Sequence, residues 1–489
     1  MIVPAPDHLF PALHVRPPTG FVNDPNGPHV RDGLTHLYYQ HRPATNGASY
    51  AVWGHATSAD LVNWNHHRLA ISPDPDGPDR NGAWSGNVVA EGDRLFAIYS
   101  GYLRQQELQS VVIAESVDGG WTFGAPRRLG PIPDGPGTRL FRDPFVWREA
   151  DQWFMLVGAA STDDHASALI YSSPDLLTWS SQGVFAQRSR HTVTGVDGQH
   201  IDTGSMWECP QLISFGDREA LLVSAWSPAD GTLHTIAMSG RRREMRLEGE
   251  VLSRVDLGSA FYAASVMRTP EGAIVWGWAR EERDEAWCVE ADWSGALTFP
   301  RSAALRPDGT LSLRPVEAMK ALRAHRIAPD NSDPGLFTIP GAAFELEVTP
   351  RGLQVDIEMR FSDEESLALT LDPVNGRVTM DAASASTDPR AKGSRVIFDD
   401  PLDAGDSVRI FVDGSIVELF TGSGRSATMR AYPTSPPPWH VRVEGANATA
   451  SAWMLAAKHP GPEWPDNHVH RERVPPTADP DITVDLYRA

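Results

Sequence analysis

Three carboxylates in this chain stand in unusual company. Asp24 lies in Gly20-Phe-Val-Asn-Asp-Pro-Asn-Gly27, Asp143 in Leu140-Phe-Arg-Asp-Pro-Phe145, and Glu208 in Met206-Trp-Glu-Cys-Pro210. Each has aromatic or apolar neighbours and is followed within two residues by Pro. Pro fixes φ and cannot donate to a sheet ladder, so it pins the end of a strand. A carboxylate held rigidly there can point into a pocket. An isolated Asp-Pro reads as a turn, whereas three such carboxylates in one chain read as a placed set.

Glycoside cleavage needs such an inventory. One carboxylic acid protonates the departing oxygen, and a second carboxylate attacks the anomeric carbon from the other face; in retaining enzymes the pair sits roughly 5 Å apart. The acid must hold its proton near neutral pH, which burial and neighbouring negative charge favour. Glu208, between Trp207 and Cys209, is the candidate acid. Arg142 is expected to favour ionisation of Asp143 beside it and to fork onto sugar hydroxyls.

Something must bring these distant residues together. Before residue 315, short apolar runs bounded by Gly, Pro, Asp and Asn dominate: Thr35–Gln40, Arg94–Ser100, Trp153–Gly158, Ala220–Ala225 and Ala273–Trp278. They read as strands of an all-β domain. Ser58-Ala-Asp-Leu-Val-Asn-Trp64 resembles Ser173-Pro-Asp-Leu-Leu-Thr-Trp179, and Ser116-Val-Asp-Gly-Gly-Trp121 is a looser copy. This pattern reads either as a recurring turn or as the outer hairpin of a repeated sheet. Distinctive polar residues recur at Asp24, Ser85, Asp143, Glu208 and Tyr262, at intervals of 61, 58, 65 and 54 residues. A unit of that size holds a four-stranded blade with its loops, so a five-bladed β-propeller is expected, its first strands lining a central channel.

A β-sandwich is expected to follow. The segments Phe344–Val348, Leu367–Leu371 and Val408–Val412 alternate, and Asp413-Gly414 before Ile416–Phe420 signals a hairpin. The expected boundaries are a propeller over residues 1–312, a linker over 313–327 with a short helix, a sandwich over 328–457 and a C-terminal extension over 458–489.

Asn23-Asp-Pro-Asn-Gly27, Arg142-Asp-Pro144 and Glu208-Cys-Pro210, in that order, resemble the three signature motifs of glycoside hydrolase family 32, which includes invertases, levanases and inulinases. Trp53–Trp64, Trp84-Ser-Gly86, Phe261-Tyr-Ala263, Ala296–Arg301 and Phe411–Phe420 extend the likeness over nearly the whole chain. The resemblance implies a retaining, exo-acting β-fructofuranosidase. It implies Asp24 as nucleophile, Glu208 as acid and then base, and Asp143 as transition-state stabiliser. It also implies Asn23, Gln40, Trp53, Ser85 and Arg142 around the fructose, with Trp84 as a hydrophobic wall. Trp53 and Trp84 read equally as blade packing, and Gln40 as an ordinary strand residue. The chain departs from the family at Phe21, where Trp is usual, at Ala260, where Asp is frequent, and after Gly277-Trp278, where a second Trp is missing. Sucrose, kestose-type oligosaccharides, inulin and levan all stay open as substrates. So do a fructosyltransferase on the same scaffold, an inverting five-bladed glycosidase and a non-catalytic fructan-binding protein.

Composition agrees with a small-molecule or oligosaccharide substrate. The net charge is −20 and there are only three lysines, Lys320, Lys392 and Lys458, so no nucleic-acid partner is expected. The mechanism requires no metal or other cofactor, and Cys209 and Cys288 are too few for a disulfide framework. Met1–Pro18 lacks the pattern of a signal peptide and no long apolar run exists, so a cytoplasmic location away from membranes is expected. Oligomeric state is left open.

Overall fold

The structure is a computed structural model and describes residues 7–45, 49–104, 109–129, 138–161, 163–196, 198–270, 272–403 and 405–457. The expected C-terminal extension, 458–489, lies outside the described residues.

Five four-stranded antiparallel meanders follow one another along the chain, each joined in simple up-and-down order, and the first and fifth sheets each carry one extra short strand. Their inner strands are Gly20–Arg31, Ala83–Glu91, Thr138–Glu149, Met206–Phe215 and Phe261–Thr269. Each inner strand packs on the next, and the first packs on the fifth, so the five blades close a ring. Hydrogen bonds help the closure: Trp293–Ser294 pairs in parallel with Gly20–Phe21, and Gly20 N–H donates to Asp292 O at 2.8 Å. Gly20 has φ +83°, and a Cβ there would lie 2.4 Å from Arg42 O, so glycine is required at the seam.

The repeated Ser-x-Asp segments are both a turn and a blade repeat. Each links the third and fourth strands of one of the first three blades. Ser58 Oγ accepts Leu61 N–H at 2.8 Å, and Asp60 Oδ1 accepts Asn63 N–H at 2.8 Å. Trp64 and Trp179 close their turns by donating Nε1–H to Leu61 O and Leu176 O at 3.1 and 2.9 Å. The fourth position of the turn takes positive φ in all three copies: 70° at Leu61, 63° at Leu176 and 80° at Gly119.

Ladder register breaks on every inner strand at its distinctive residue. The shifts fall between Val22 and Pro25, Ala83 and Gly86, Glu208 and Gln211, and Tyr262 and Ser265; on the third, the shift lies between the pairs of Phe145 and Arg142. A β-bulge bends a strand and re-aims its side chains. Pro25, Pro144 and Pro210 therefore sit at bulges inside long strands, where the ladder has no need of their missing N–H, and not at strand ends as the sequence suggests.

The second half packs two six-stranded sheets face to face. Alternation does the sorting: along Val355–Arg360 every second residue is buried. Phe344, Leu346, Ile357, Leu369 and Val441 fill the space between the sheets. The expected linker 313–327 is shorter than the sequence suggests. Leu311–Pro315 is still a blade strand, Glu317–Leu322 is a 3-10 helix, and Arg323–Ile327 already pairs with Thr449–Leu455 in the sandwich. The hairpin turn is Gly414-Ser415 and not Asp413-Gly414, because Asp413 still pairs with Ile416. Its carboxylate accepts the backbone N–H groups of Ala12, Leu13 and His14.

Propeller and sandwich share a buried polar seam. Arg301 donates to Asp256 at 2.6 Å and lies 3.3 Å from Glu418, all three fully buried. Asp256 also accepts Thr428 N–H at 2.8 Å. Gly258 lets the chain approach: a Cβ there would lie 1.9 Å from Thr428 O.

Candidate active site

Asp24 projects from the bulge of the first inner strand. Its Oδ2 accepts from Ser85 Oγ at 2.5 Å and Gln40 Nε2 at 3.2 Å, and its Oδ1 accepts from Asn23 Nδ2 at 3.1 Å. Gln40 Nε2 also donates to Ser85 Oγ at 2.6 Å. These donors engage both carboxylate oxygens. Burial nevertheless raises the Asp24 pKa to about 6, with the Ser85 hydrogen bond opposing and the Glu208 charge reinforcing the rise.

Glu208 projects from the fourth inner strand. Oε1 accepts Nε–H and Nη2–H of Arg142 at 3.0 and 2.7 Å, and Oε2 accepts the Tyr262 hydroxyl at 2.6 Å. The same hydroxyl lies 3.1 Å from Ala225 O. It has one proton and two acceptors, so it serves both states of Glu208. It donates to the carboxylate, or it accepts from the carboxylic acid while donating to Ala225. An acid that later turns base needs such a neighbour.

Asp143 sits between them, at φ +65°. Its N–H donates to Ser100 Oγ at 2.7 Å, and its Oδ2 accepts Cys209 N–H at 3.1 Å. Cys209 Sγ lies 3.5 Å from Asp24 Oδ2 and 3.6 Å from Asp143 Oδ2. Burial and then the nearby carboxylates push that thiol well up, so it stays a neutral S–H donor between the two acids. The Arg142 guanidinium engages Glu208, and although it pulls the Asp143 pKa down, burial outweighs it and raises Asp143 to about 7.

These groups line one pocket, with about 480 Å³ of space including its open mouth. Asn23, Asp24, Gln40, Arg142, Asp143 and Glu208 are in its lining, with Trp84 as a wall stacked on Tyr102 at 4.5 Å. Asn23 Oδ1 is buried without a protein partner among the described residues, an acceptor suited to a sugar hydroxyl. Ser85 stands behind Asp24. Trp53, expected to line the pocket, lies one layer back instead: it is fully buried, donates Nε1–H to Trp84 O at 2.9 Å and packs on Tyr99.

Phe21, where the chain departs from the family at the pocket rim, lines the pocket, and so do Arg42, Tyr262 and Trp278, which sequence reasoning did not name as site residues. Tyr262 had a signal as the starting residue of the fifth repeat. Arg42 had one in strand alternation, two residues beyond Gln40.

The comparisons with known proteins decide the family. Residues 14–315 match the N-terminal domain of glycosyl hydrolases family 32, and residues 319–454 match the family's C-terminal domain. The chain belongs to glycoside hydrolase family 32. A sucrose-6-phosphate hydrolase of Escherichia coli is 30% identical over 459 residues, covering 87% of this chain and 90% of that one. A β-fructofuranosidase of Bombyx mori shares the fold with TM-score 0.76 at 24% identity, over 93% of this chain and 95% of that one. So does fructan 1-exohydrolase IIa of Cichorium intybus, with TM-score 0.74 at 22% identity, over 91% of this chain and 97% of that one. This family 32 chain is a β-fructofuranosidase-type exo-glycosidase that acts on fructosides with retention. Among the described residues, no helix is long and apolar enough to cross a membrane.

Proposed function

We propose that the enzyme releases terminal β-D-fructofuranosyl units from sucrose or short fructans, with Asp24 as nucleophile and Glu208 as acid and base. The supporting observation is the pocket itself: a carboxylate fixed by Ser85, Gln40 and Asn23 shares one recess with a Glu tied to Arg142 and Tyr262. Asp24 attacks the anomeric C2 as Glu208 gives its proton to the departing glycosidic oxygen. The resulting ester holds the fructosyl unit on Asp24. Glu208, now a carboxylate, takes a proton from water, whose oxygen attacks C2 and frees fructose with its configuration kept. Asp143 holds fructose hydroxyls whose hydrogen bonds strengthen as C2 becomes cationic, and Asn23 and Arg142 orient the ring.

The Escherichia coli relative is named for sucrose 6-phosphate, which brings phosphorylated sucrose into the substrate range. A cytoplasmic setting suits small imported substrates and accords with the two buried cysteines left as thiols.

Incubation with sucrose, 1-kestose, inulin and levan, followed by chromatography over time, tests the reading. Free fructose from the first time point supports it. Longer oligosaccharides with little fructose would make the enzyme a transferase, and no product from any of the four would overturn the assignment.

A further inference from the structure

We infer that Ser100 is a positioning residue for the reaction: its hydroxyl sets Asp143, and through the Asp143 carboxylate the backbone beside Glu208. This rests on the fructosidase reading above and adds a residue outside the pocket lining.

Three inner strands carry the same device. Asp143, Cys209 and Ala263 each directly follow a pocket-lining residue, Arg142, Glu208 or Tyr262, and each takes a left-handed φ, of 65°, 46° and 49°. That conformation is unfavourable for a residue with a Cβ, so it persists only where neighbours hold it. In each case the holder is a side-chain oxygen of the preceding blade that accepts the backbone N–H. Ser100 Oγ accepts Asp143 N–H at 2.7 Å, and Ser224 Oγ accepts Ala263 N–H at 3.0 Å. Both serines stand on the second strand of their blade, opposite its bulge. Ser224 pairs with Glu208, and Ser100 lies between the pairs Ala83–Gly101 and Gly86–Tyr99.

The third blade breaks the pattern. Gly158 pairs with Arg142 in the matching place, and a Cβ there would lie 2.0 Å from Trp207 O, so no serine fits. Cys209 N–H goes instead to Asp143 Oδ2 at 3.1 Å. The carboxylate thus does for the fourth blade what Ser100 does for the third. Arg142, one residue earlier, holds Glu208 Oε1 at 2.7 Å. One dipeptide therefore grips Glu208 by its side chain and by the peptide bond that follows it, and the fully buried Ser100 anchors that dipeptide.

The test measures kcat, KM and melting temperature, with sucrose and with 1-kestose, for the wild type, Ser100→Ala, Asp143→Ala and the double variant. Ala263 shows that this bulge position accepts alanine. Asn87→Ala is the control: Asn87 bridges the same two blades through Val146 N–H at 3.0 Å and Val146 O at 2.8 Å, and does not line the pocket. Ser100→Ala should lower kcat about 10-fold with KM nearly unchanged, as expected of an interaction that counts chiefly in the transition state. In the Asp143→Ala background the same change should cost about threefold or less, because most of its effect passes through that carboxylate. Asn87→Ala should lower the melting temperature and leave kcat within about twofold of wild type, since a slack blade contact alone does not misplace the reacting groups. The inference is overturned if Ser100→Ala keeps the wild-type kcat, if it costs as much in the Asp143→Ala background as in the wild type, or if Asn87→Ala lowers kcat equally. Wild-type enzyme that releases fructose from neither sugar would instead overturn the fructosidase reading, and this inference with it.

Discussion

Asp24 and Ser85 come from different blades, yet the Ser85 hydroxyl donates to Asp24 Oδ2 at 2.5 Å. Gln40 donates to both, so the first two blades meet at the proposed nucleophile. A nucleophile must be held in line with its target, and in the proposed mechanism this contact does the holding.

Replacing Ser85 with Ala should therefore reduce kcat about 10-fold or more, since a hydrogen bond to a charged group is worth about 1.5–3 kcal/mol. Losing a donor that favours ionised Asp24 should also move the acidic limb of the pH–rate profile to higher pH. Thermal melting should change little. Steady-state kinetics over a pH series, with a melt of each protein, checks all three; wild-type kinetics in the variant would remove Ser85 from the site.

The buried acids set the pH response. Asp24 is raised to about 6 and Asp143 to about 7, each chiefly by burial, and as neighbours they titrate together. Asp24, as the proposed nucleophile, must be ionised, so kcat/KM should fall as pH drops through about 6. Stability runs the other way. Both folded values lie above the unfolded Asp value of about 3.9, so the folded state holds these protons more tightly and loses stability as pH rises from about 4 to 7. Asp24→Asn should gain about 1–3 kcal/mol at pH 8 and nothing near pH 4. Urea denaturation at the two pH values measures the difference.

The seam between propeller and sandwich should be costly to break. Asp256 is fully buried; burial pushes its pKa up, but Arg301 and the Thr428 N–H hold it below the ordinary value. Removing Arg301 leaves that charge unpaired, and Arg301→Met should destabilise the protein by about 3–5 kcal/mol. Replacing Arg301 and Asp256 together with apolar residues should cost less. Chemical denaturation of both variants gives the comparison.

His14 adds a second pH effect at the same seam. Burial pushes its pKa down, but the hydrogen bond to Asp413 and the nearby Glu418 carboxylate outweigh this and raise it above the ordinary value. Its contribution is complete below pH about 6.5 and is lost as pH rises through the folded value. His14→Ala should remove that loss, seen as a flatter dependence of melting temperature on pH above 6.5.

Most of the architecture is legible in the sequence, for physical reasons. Tyr262 and Glu208 sit 54 residues apart, and that spacing together with the Ser-x-Asp turns announces blades because each blade must hold four strands. The alternation of Phe344–Val348 announces a sheet with one buried face. Asp24, Asp143 and Glu208 stand out because Pro follows each within a strand-like run.

The finer placements depend on register, which a sequence pattern does not give. A bulge on each inner strand turns successive residues into the channel, so Cys209 and Asp143 face the site although strict alternation would place such neighbours differently. Trp53 has a site-like context, yet its strand directs it beneath Trp84. The direction of Arg142 toward Glu208 depends on the packing of two blades 66 residues apart in the chain.

The most direct measurement is to locate the covalent intermediate. The Glu208→Gln variant would be mixed with a β-fructosyl fluoride, whose leaving group needs no proton, then quenched, digested and mapped by mass spectrometry. The expected result is one fructosyl unit on the peptide carrying Asp24, at Asp24 itself. A fructosyl unit on another carboxylate, or inverted fructose as the first product with no adduct, would contradict it.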